Sequence, residues 1–299
     1  MPNKVFYIVD VFAEEPFGGN QLAVFLDGSQ YRDDTMQKIA REMNFSETTF
    51  IMSNREINGS WPVRIFTPRE EIPFAGHPTI GTAYVIQTFL IKKPVKRIVL
   101  KEKAGDIPVD LSYVNDHPDI LTMTQLPPTF GNRADIDVIA EIIRLNPEDI
   151  DKRFPLEVVS TGFPALIIPL KTLDALKRAS LHRDKYYSYV KHFDTGNFCL
   201  FAPETRSREN QLSVRMFAES LGVPEDPATG SANGCLAGYL VRHNYFDKDG
   251  IDIKVEQGHE ICRPSRLHLY AKKREKDILV KVGGKANLFS KGEILMPNL

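Results

Sequence analysis

The chain has 299 residues, 42% of them hydrophobic and 26% charged, with 38 Lys and Arg against 39 Asp and Glu. The resulting formal charge of −1 argues against a nucleic-acid binder, which carries a basic excess. The length suits two domains with sizeable cores. Cys199, Cys235 and Cys262 are too few and too scattered for a disulfide scaffold or a CxxC zinc site, and they suit a reducing cytoplasm. The apolar stretch Val5 to Val9 is too short for a signal-peptide core. The longest buried-looking segment, Thr79 to Ile91, falls short of the ~20 residues needed to span a bilayer. A soluble cytoplasmic protein with no membrane partner is expected.

Short runs of β-branched and aromatic residues predict strands. In the first part of the chain they cover Val5–Phe12, Leu22–Leu26, Thr48–Met52, Pro62–Phe66 and Ile98–Lys103. In the second they cover Glu157–Ser160, Ala165–Leu170, Asn197–Ala202, Leu212–Phe217, Leu267–Ala271 and Ile278–Val282. Amphipathic patterns predict helices over Met36–Met43 and Asp135–Arg144. Two further helical segments, Pro78–Leu90 and Ala232–Val241, are apolar on nearly every side and rich in small residues. A helix without a polar face is buried all round, so each is expected at the core of its own domain.

The chain also repeats itself. Val63-Arg64-Ile65-Phe66 matches Val214-Arg215-Met216-Phe217, and each tetrapeptide leads through an acidic, proline-containing loop to a glycine that opens one of the two buried helices. The spacing is 12 residues from Arg64 to Gly76 and 15 from Arg215 to Gly230. Two copies of one unit are therefore expected. Each helix start offers backbone N–H groups and a partial positive charge. If the copies face each other, Gly76 and Gly230 approach one anionic substrate, most simply a carboxylate.

At these residues the sequence resembles the PhzF-like family (phenazine biosynthesis), a branch of the diaminopimelate epimerase-like fold. The matching segments are VDVFAEEPFGGNQLAVFLDG (9–28), NFSETTF (44–50), RIFTPREEIPFAGHPTIGTA (64–83), STGFP (160–164) and RMFAESLGVPEDPATGSANG (215–234). The resemblance implies an α+β fold of two pseudo-twofold-related domains, each a barrel-like curved sheet around a central buried helix. The expected boundaries are 1–118 and 119–283, with 284–299 returning to the first domain. It also implies a homodimer.

The resemblance implies catalytic positions too: Glu47 as the acid/base, with His77, Asp226 and Ser231 binding and polarising substrate. Gly76, Gly230 and Asn20 join them as substrate-binding residues. On sequence alone Glu47 and Asp226 read as turn acids, and family position is what tips Glu47 towards a proton-transfer role. In the related epimerases two cysteines stand at the helix starts. Here His77 and Ser231 take those places, and Cys235 lies one turn further on, so a two-thiol racemase is not expected.

Other chemistries fit less well. Gly230-Ser231-Ala232-Asn233-Gly234 is not the GxSxG elbow of a hydrolase. No HExxH, GxGxxG or GxxxxGK[ST] occurs, so neither metal nor cofactor is implied. The expected function is a cofactor-independent isomerase that moves a proton within a small carboxylic acid. The family archetype isomerises a dihydro-hydroxyanthranilate. A non-catalytic small-anion binding protein and a stereo-inverting epimerase are the alternatives.

Overall fold

The computed structural model describes residues 5–295. The chain divides into two units, of which the first runs to Thr124 and resumes at Gly283, while the second is Gln125–Val282. β8 therefore belongs wholly to the first unit, and the boundary falls after Thr124 rather than at 118.

The first unit contains β1 (Val5–Val11), β2 (Asn20–Phe25), β3 (Glu47–Ile51), β4 (Trp61–Phe66), β5 (Glu71–Ile72), β6 (Arg97–Glu102), β7 (Gly105–Val114) and β8 (His117–Thr124). Its helices are α1 (Asp33–Met43) and α2 (Gly76–Val85). The second unit contains β9 (Thr129–Arg133), β10 (Glu157–Ser160), β11 (Pro164–Pro169), β12 (Phe198–Ala202), β13 (Leu212–Ala218), β14 (Val223–Asp226), β15 (Gly250–Gln257), β16 (Ser265–Lys273) and most of β17 (Ile278–Gly284), whose last two residues fall in the first unit. Its helices are α3 (Ile136–Ile142), α4 (Leu173–Arg178), α5 (Arg183–Val190) and α6 (Gly230–Arg242). The first unit is then completed by β18 (Ala286–Glu293).

The two units are built by the same rule. In the first, β1 and β2 are antiparallel, β2 and β3 parallel, β3 and β4 antiparallel. Next, β4 pairs antiparallel with β5 and parallel with β6, and β6 antiparallel with β7. In the second unit β10, β11, β12, β13, β14, β15 and β16 repeat those six relationships in order. The matching tetrapeptides lie on β4 and β13. Arg64 forms a two-pronged pair with Glu71 at 2.8 and 2.9 Å, and Arg215 forms the same pair with Glu225 at 2.9 and 2.7 Å. Each guanidinium also lies over the phenylalanine two residues on, 5.1 Å above Phe66 and 4.8 Å above Phe217, a favourable cation–π arrangement.

α2 is the hub of the first unit. It touches β1, β2, β3, β6, β7, β8 and β18, and every residue from Gly76 to Ala83 is buried. The all-round apolar pattern requires this, since any polar side would have to face water. Close approach is permitted by Gly81, where an added Cβ would stand 2.6 Å from Leu22 Cδ2 and 2.7 Å from Val11 Cγ2. Beyond Val85 the helix widens into one π-helical turn, Ile86–Ile91, and stops at Lys92 in the left-handed region. α6 is the hub of the second unit, against β10, β11, β12, β15 and β16. No helix among the described residues is long and apolar enough to cross a membrane.

The packing around α2 can be tested at its tightest point. Gly81→Val should destabilise the protein by about 1–3 kcal/mol, the usual range for overpacking, measured by denaturant unfolding. An unchanged midpoint would contradict the contact between α2 and β2.

Candidate active site

Glu47 is the first residue of β3, held in register by Leu22 of the parallel strand β2. His77 is the second residue of α2. The next residue, Pro78, costs no helical hydrogen bond, because the first-turn N–H groups have no intrahelical partner. β3 and the α2 start meet so that His77 Nε2 lies 3.4 Å from Glu47 Oε2, with side-chain exposures of 4% and 18%. The pair is thus shielded on the histidine side and open to a ligand on the carboxylate side.

Burial pushes the His77 imidazole down to about 3, opposed by a hydrogen bond from the ring to the backbone of Gln21. Nε2 itself has no partner in hydrogen-bond geometry. The pattern assigns the proton to Nδ1, facing the Gln21 carbonyl. The bare lone pair of Nε2 then faces Glu47, and one proton between the two atoms would satisfy both. Asn20, buried at the start of β2 beside Gln21, belongs to the same unit.

Asp226, Gly230 and Ser231 lie in the second unit. Asp226 ends β14 and is buried. Its carboxylate accepts a short hydrogen bond from Thr229 Oγ1, and its carbonyl accepts from Gln257 Nε2 at 2.8 Å. Gly230 and Ser231 form the first turn of α6, with Thr229 before them. The Gly230 carbonyl accepts from Gln125 Nε2 at 2.9 Å, and Gln125 is held in turn by Thr161 Oγ1 at 2.6 Å. That is the physical use of the STGFP segment: its threonine orients the glutamine that ties down the helix start. Gly234 makes room for it, since a Cβ there would lie 1.7 Å from Gln125 Oε1.

The two helix starts share one further property. No side chain caps α2 at Ala75 or α6 at Thr229, and no acidic residue lies in either first turn. Their partial positive charge is left for something else to neutralise. Cys235 does not compete as an acid or base. It is buried, and desolvation raises its thiol to about 11. Among the described residues no group of three or more His, Cys, Asp and Glu side chains is placed to hold a metal ion.

The sequence of residues 9–292 matches the family described as phenazine biosynthesis-like protein. The chain belongs to that family. It is 34% identical over 292 residues to the trans-2,3-dihydro-3-hydroxyanthranilate isomerase of Pseudomonas fluorescens, covering 97% of this chain and 99% of the relative. An uncharacterised isomerase of Clostridium acetobutylicum is 33% identical over 296 residues, 97% of each chain. The crystal structure of a PhzF-family phenazine biosynthesis protein from Bacillus anthracis superposes with a TM-score of 0.90 at 27% identity, covering 99% of this chain and all of that one. A probable proline racemase from Agrobacterium radiobacter, at 9% identity and a TM-score of 0.64 over 98% of this chain and 93% of that one, shares the fold. The fold is therefore of the diaminopimelate epimerase-like kind, and the chain is an enzyme of the isomerase class.

Reading the residues alone did not reach Thr229, Gln257, Gln125 or the Gln21 carbonyl. The only signal for the first was its place inside the DPATGS segment. The others are polar groups that become visible only when strands bring them to a helix start.

The state of His77 carries a stability consequence. Its folded value lies far below the ordinary 6.5, so the unfolded chain binds a proton that the folded chain refuses. His77 therefore stabilises the fold fully above about pH 6.5, and that contribution is lost as pH falls towards 3. Nitrogen NMR of labelled histidine should show His77 as neutral imidazole protonated on Nδ1 at about pH 5, where an ordinary histidine is charged. An imidazolium signal there would contradict the assignment.

Proposed function

We propose that the protein is a cofactor-independent isomerase that moves a proton within a small carboxylic acid, with Glu47 as the proton carrier. The observation that carries this reading is the 3.4 Å approach of Glu47 to a buried, neutral His77. As a carboxylate, Glu47 can take a proton from an activated carbon. As an acid it can donate to the free lone pair of Nε2, so the protonated intermediate is held until the proton is returned to another atom of the same molecule. The tight burial of the ring keeps it an acceptor, because ionising it there is costly.

The uncapped start of α2, which carries His77, suits the substrate carboxylate, as preorganised N–H donors cost no rearrangement when charge develops. Asp226 and Ser231 serve the substrate by binding it, the first oriented by Thr229. The name of the Pseudomonas fluorescens relative supplies the first compound to try, trans-2,3-dihydro-3-hydroxyanthranilate, an amino acid with a ring hydroxyl.

Proton NMR of that compound with the enzyme in heavy water provides the test. Glu47→Gln keeps the shape but cannot carry a proton. Turnover should fall by ~10²–10⁴-fold, while binding survives. Ser231→Ala should weaken binding by about 1–3 kcal/mol and leave measurable turnover. Normal turnover by Glu47→Gln would overturn the proton-carrier role. Binding with no chemistry by the unaltered protein would favour a non-catalytic role for this compound, and a changed optical rotation would favour an epimerase.

A further inference from the structure

Glu102 ends β6 and is 4% exposed, yet among the described residues no positive charge pairs with it. Its one hydrogen-bond partner among the described residues is Thr79 Oγ1, 2.6 Å from Oε1, while Oε2 has none. Thr79 lies in the first turn of α2, two residues after His77. The same Oγ1 lies 2.7 Å from the carbonyl oxygen of Ala75. A hydroxyl carries a single proton. If that proton goes to Ala75, the second contact lacks one unless the carboxyl brings it.

The second unit shows what belongs at this place. Placing Arg64 on Arg215 sets Pro62 on Ser213. Pro62 pairs with Lys101, and Ser213 pairs with Glu256. Glu102 is therefore the counterpart of Gln257, and each is the last residue of its strand. The glycine helix starts likewise set Thr79 on Asn233. Asn233 Nδ2 donates to the Thr229 carbonyl at 3.0 Å and to Gln257 Oε1 at 2.8 Å. Those two contacts match Thr79 with Ala75 and Thr79 with Glu102. The amide of Asn233 has two protons for the two contacts, whereas the hydroxyl of Thr79 has one.

We propose that Glu102 is a neutral carboxylic acid that positions the first turn of α2, donating its proton to Thr79 as the counterpart of the neutral amide of Gln257. Thr79 is thereby free to donate to Ala75, the residue from which α2 starts, and the turn that carries His77 is pinned to β6. Burial raises the Glu102 carboxyl to about 8, with the Thr79 hydroxyl opposing, so the acid form prevails at neutral pH. The charged groups around it do not reverse this. A cavity of about 260 Å³ beside Glu102 is lined by Arg64 of β4, Glu71 of β5, and Lys101 and Lys103. Arg64 is committed to Glu71 and Asp33. Neither lysine is within ion-pair distance of Glu102 among the described residues. On β7, Asp106 pairs with Lys101 in the ladder, and Asp110 is bound to Arg97. From α2 the titratable group of that turn is His77, which is neutral.

This role rests on the proposed function of the α2 start, but its test needs no substrate. An infrared difference spectrum between the protein and Glu102→Gln at neutral pH should show the carbonyl stretch of a protonated carboxylic acid, lost in the variant. Carboxylate bands instead would overturn the proposal. The folded acid also holds a proton that the unfolded chain releases above the ordinary 4.5. Wild-type stability should therefore fall relative to Glu102→Gln between those two values, about tenfold in the unfolding equilibrium per pH unit, and level off above the folded one. A difference independent of pH would contradict it. Positioning is read from the nitrogen resonances of His77. Glu102→Ala should shift them and Glu102→Gln should restore them. Unchanged resonances in the alanine variant, or an equal shift in both, would make Glu102 a packing residue only. If the alanine variant does not fold, the infrared and stability measurements on Glu102→Gln still decide. Failure of the chain to turn over any one compound touches none of these readouts.

Discussion

The desolvation of one helix start governs the rest of the first unit. α2 has no polar side, so strands must surround it, and its first turn is buried with it. Burial keeps His77 neutral, and a neutral ring can accept a hydrogen bond from the carboxyl 3.4 Å away. Were the turn exposed, the ring would titrate near its ordinary value and spend part of its time as a competing acid. The same burial leaves the first-turn N–H groups uncapped, which is costly unless a ligand or water satisfies them.

The internal repeat sets different polar groups at matched positions of one architecture. The ladders pair Thr48 with Phe66 and Phe198 with Phe217, so Glu47 is the counterpart of Asn197. The second unit has an amide where the first has a carboxylate, and Ser231 where the first has His77. Asn197 is itself spent on structure, with its amide donating to the Pro164 carbonyl at 3.0 Å. At these matched positions it is the first unit that carries an acid beside a histidine. The arginine–glutamate pairs, in contrast, are the same in both copies, because their work is to fix the loop between β4 and β5, or β13 and β14, ahead of each buried helix.

Much of this was legible before any coordinates. Strands such as β3 and β12 are short, β-branched or aromatic, and buried on both sides, so composition marks them. β7 and β8 escaped because GDIPVDLSYV and HPDILTMT are broken by acids and prolines, and their outward faces are polar. The helices α4 and α5 escaped because 6 and 8 residues are too few for a periodic apolar face to show. α2 was placed from Pro78 to Leu90, whereas it starts at Gly76 and turns π-helical after Val85; periodicity does not register a widened turn. The membership of Glu47 and His77 in one site came from family resemblance, since 30 residues separate them and no local pattern predicts their meeting. Nothing in the sequence singles out Glu102, and its burial and its counterpart Gln257 are visible only in the fold.

The proposed path of the proton runs through Glu47 at the start of β3. A crystal structure of Glu47→Gln with trans-2,3-dihydro-3-hydroxyanthranilate bound addresses it most directly. The ligand carboxylate is expected at a helix start, and the carbon that loses the proton within about 3–3.5 Å of the position-47 side chain, the distance of a reactive approach. A ligand whose reacting carbon lies beyond reach of that side chain, and against another acid or base, would contradict it.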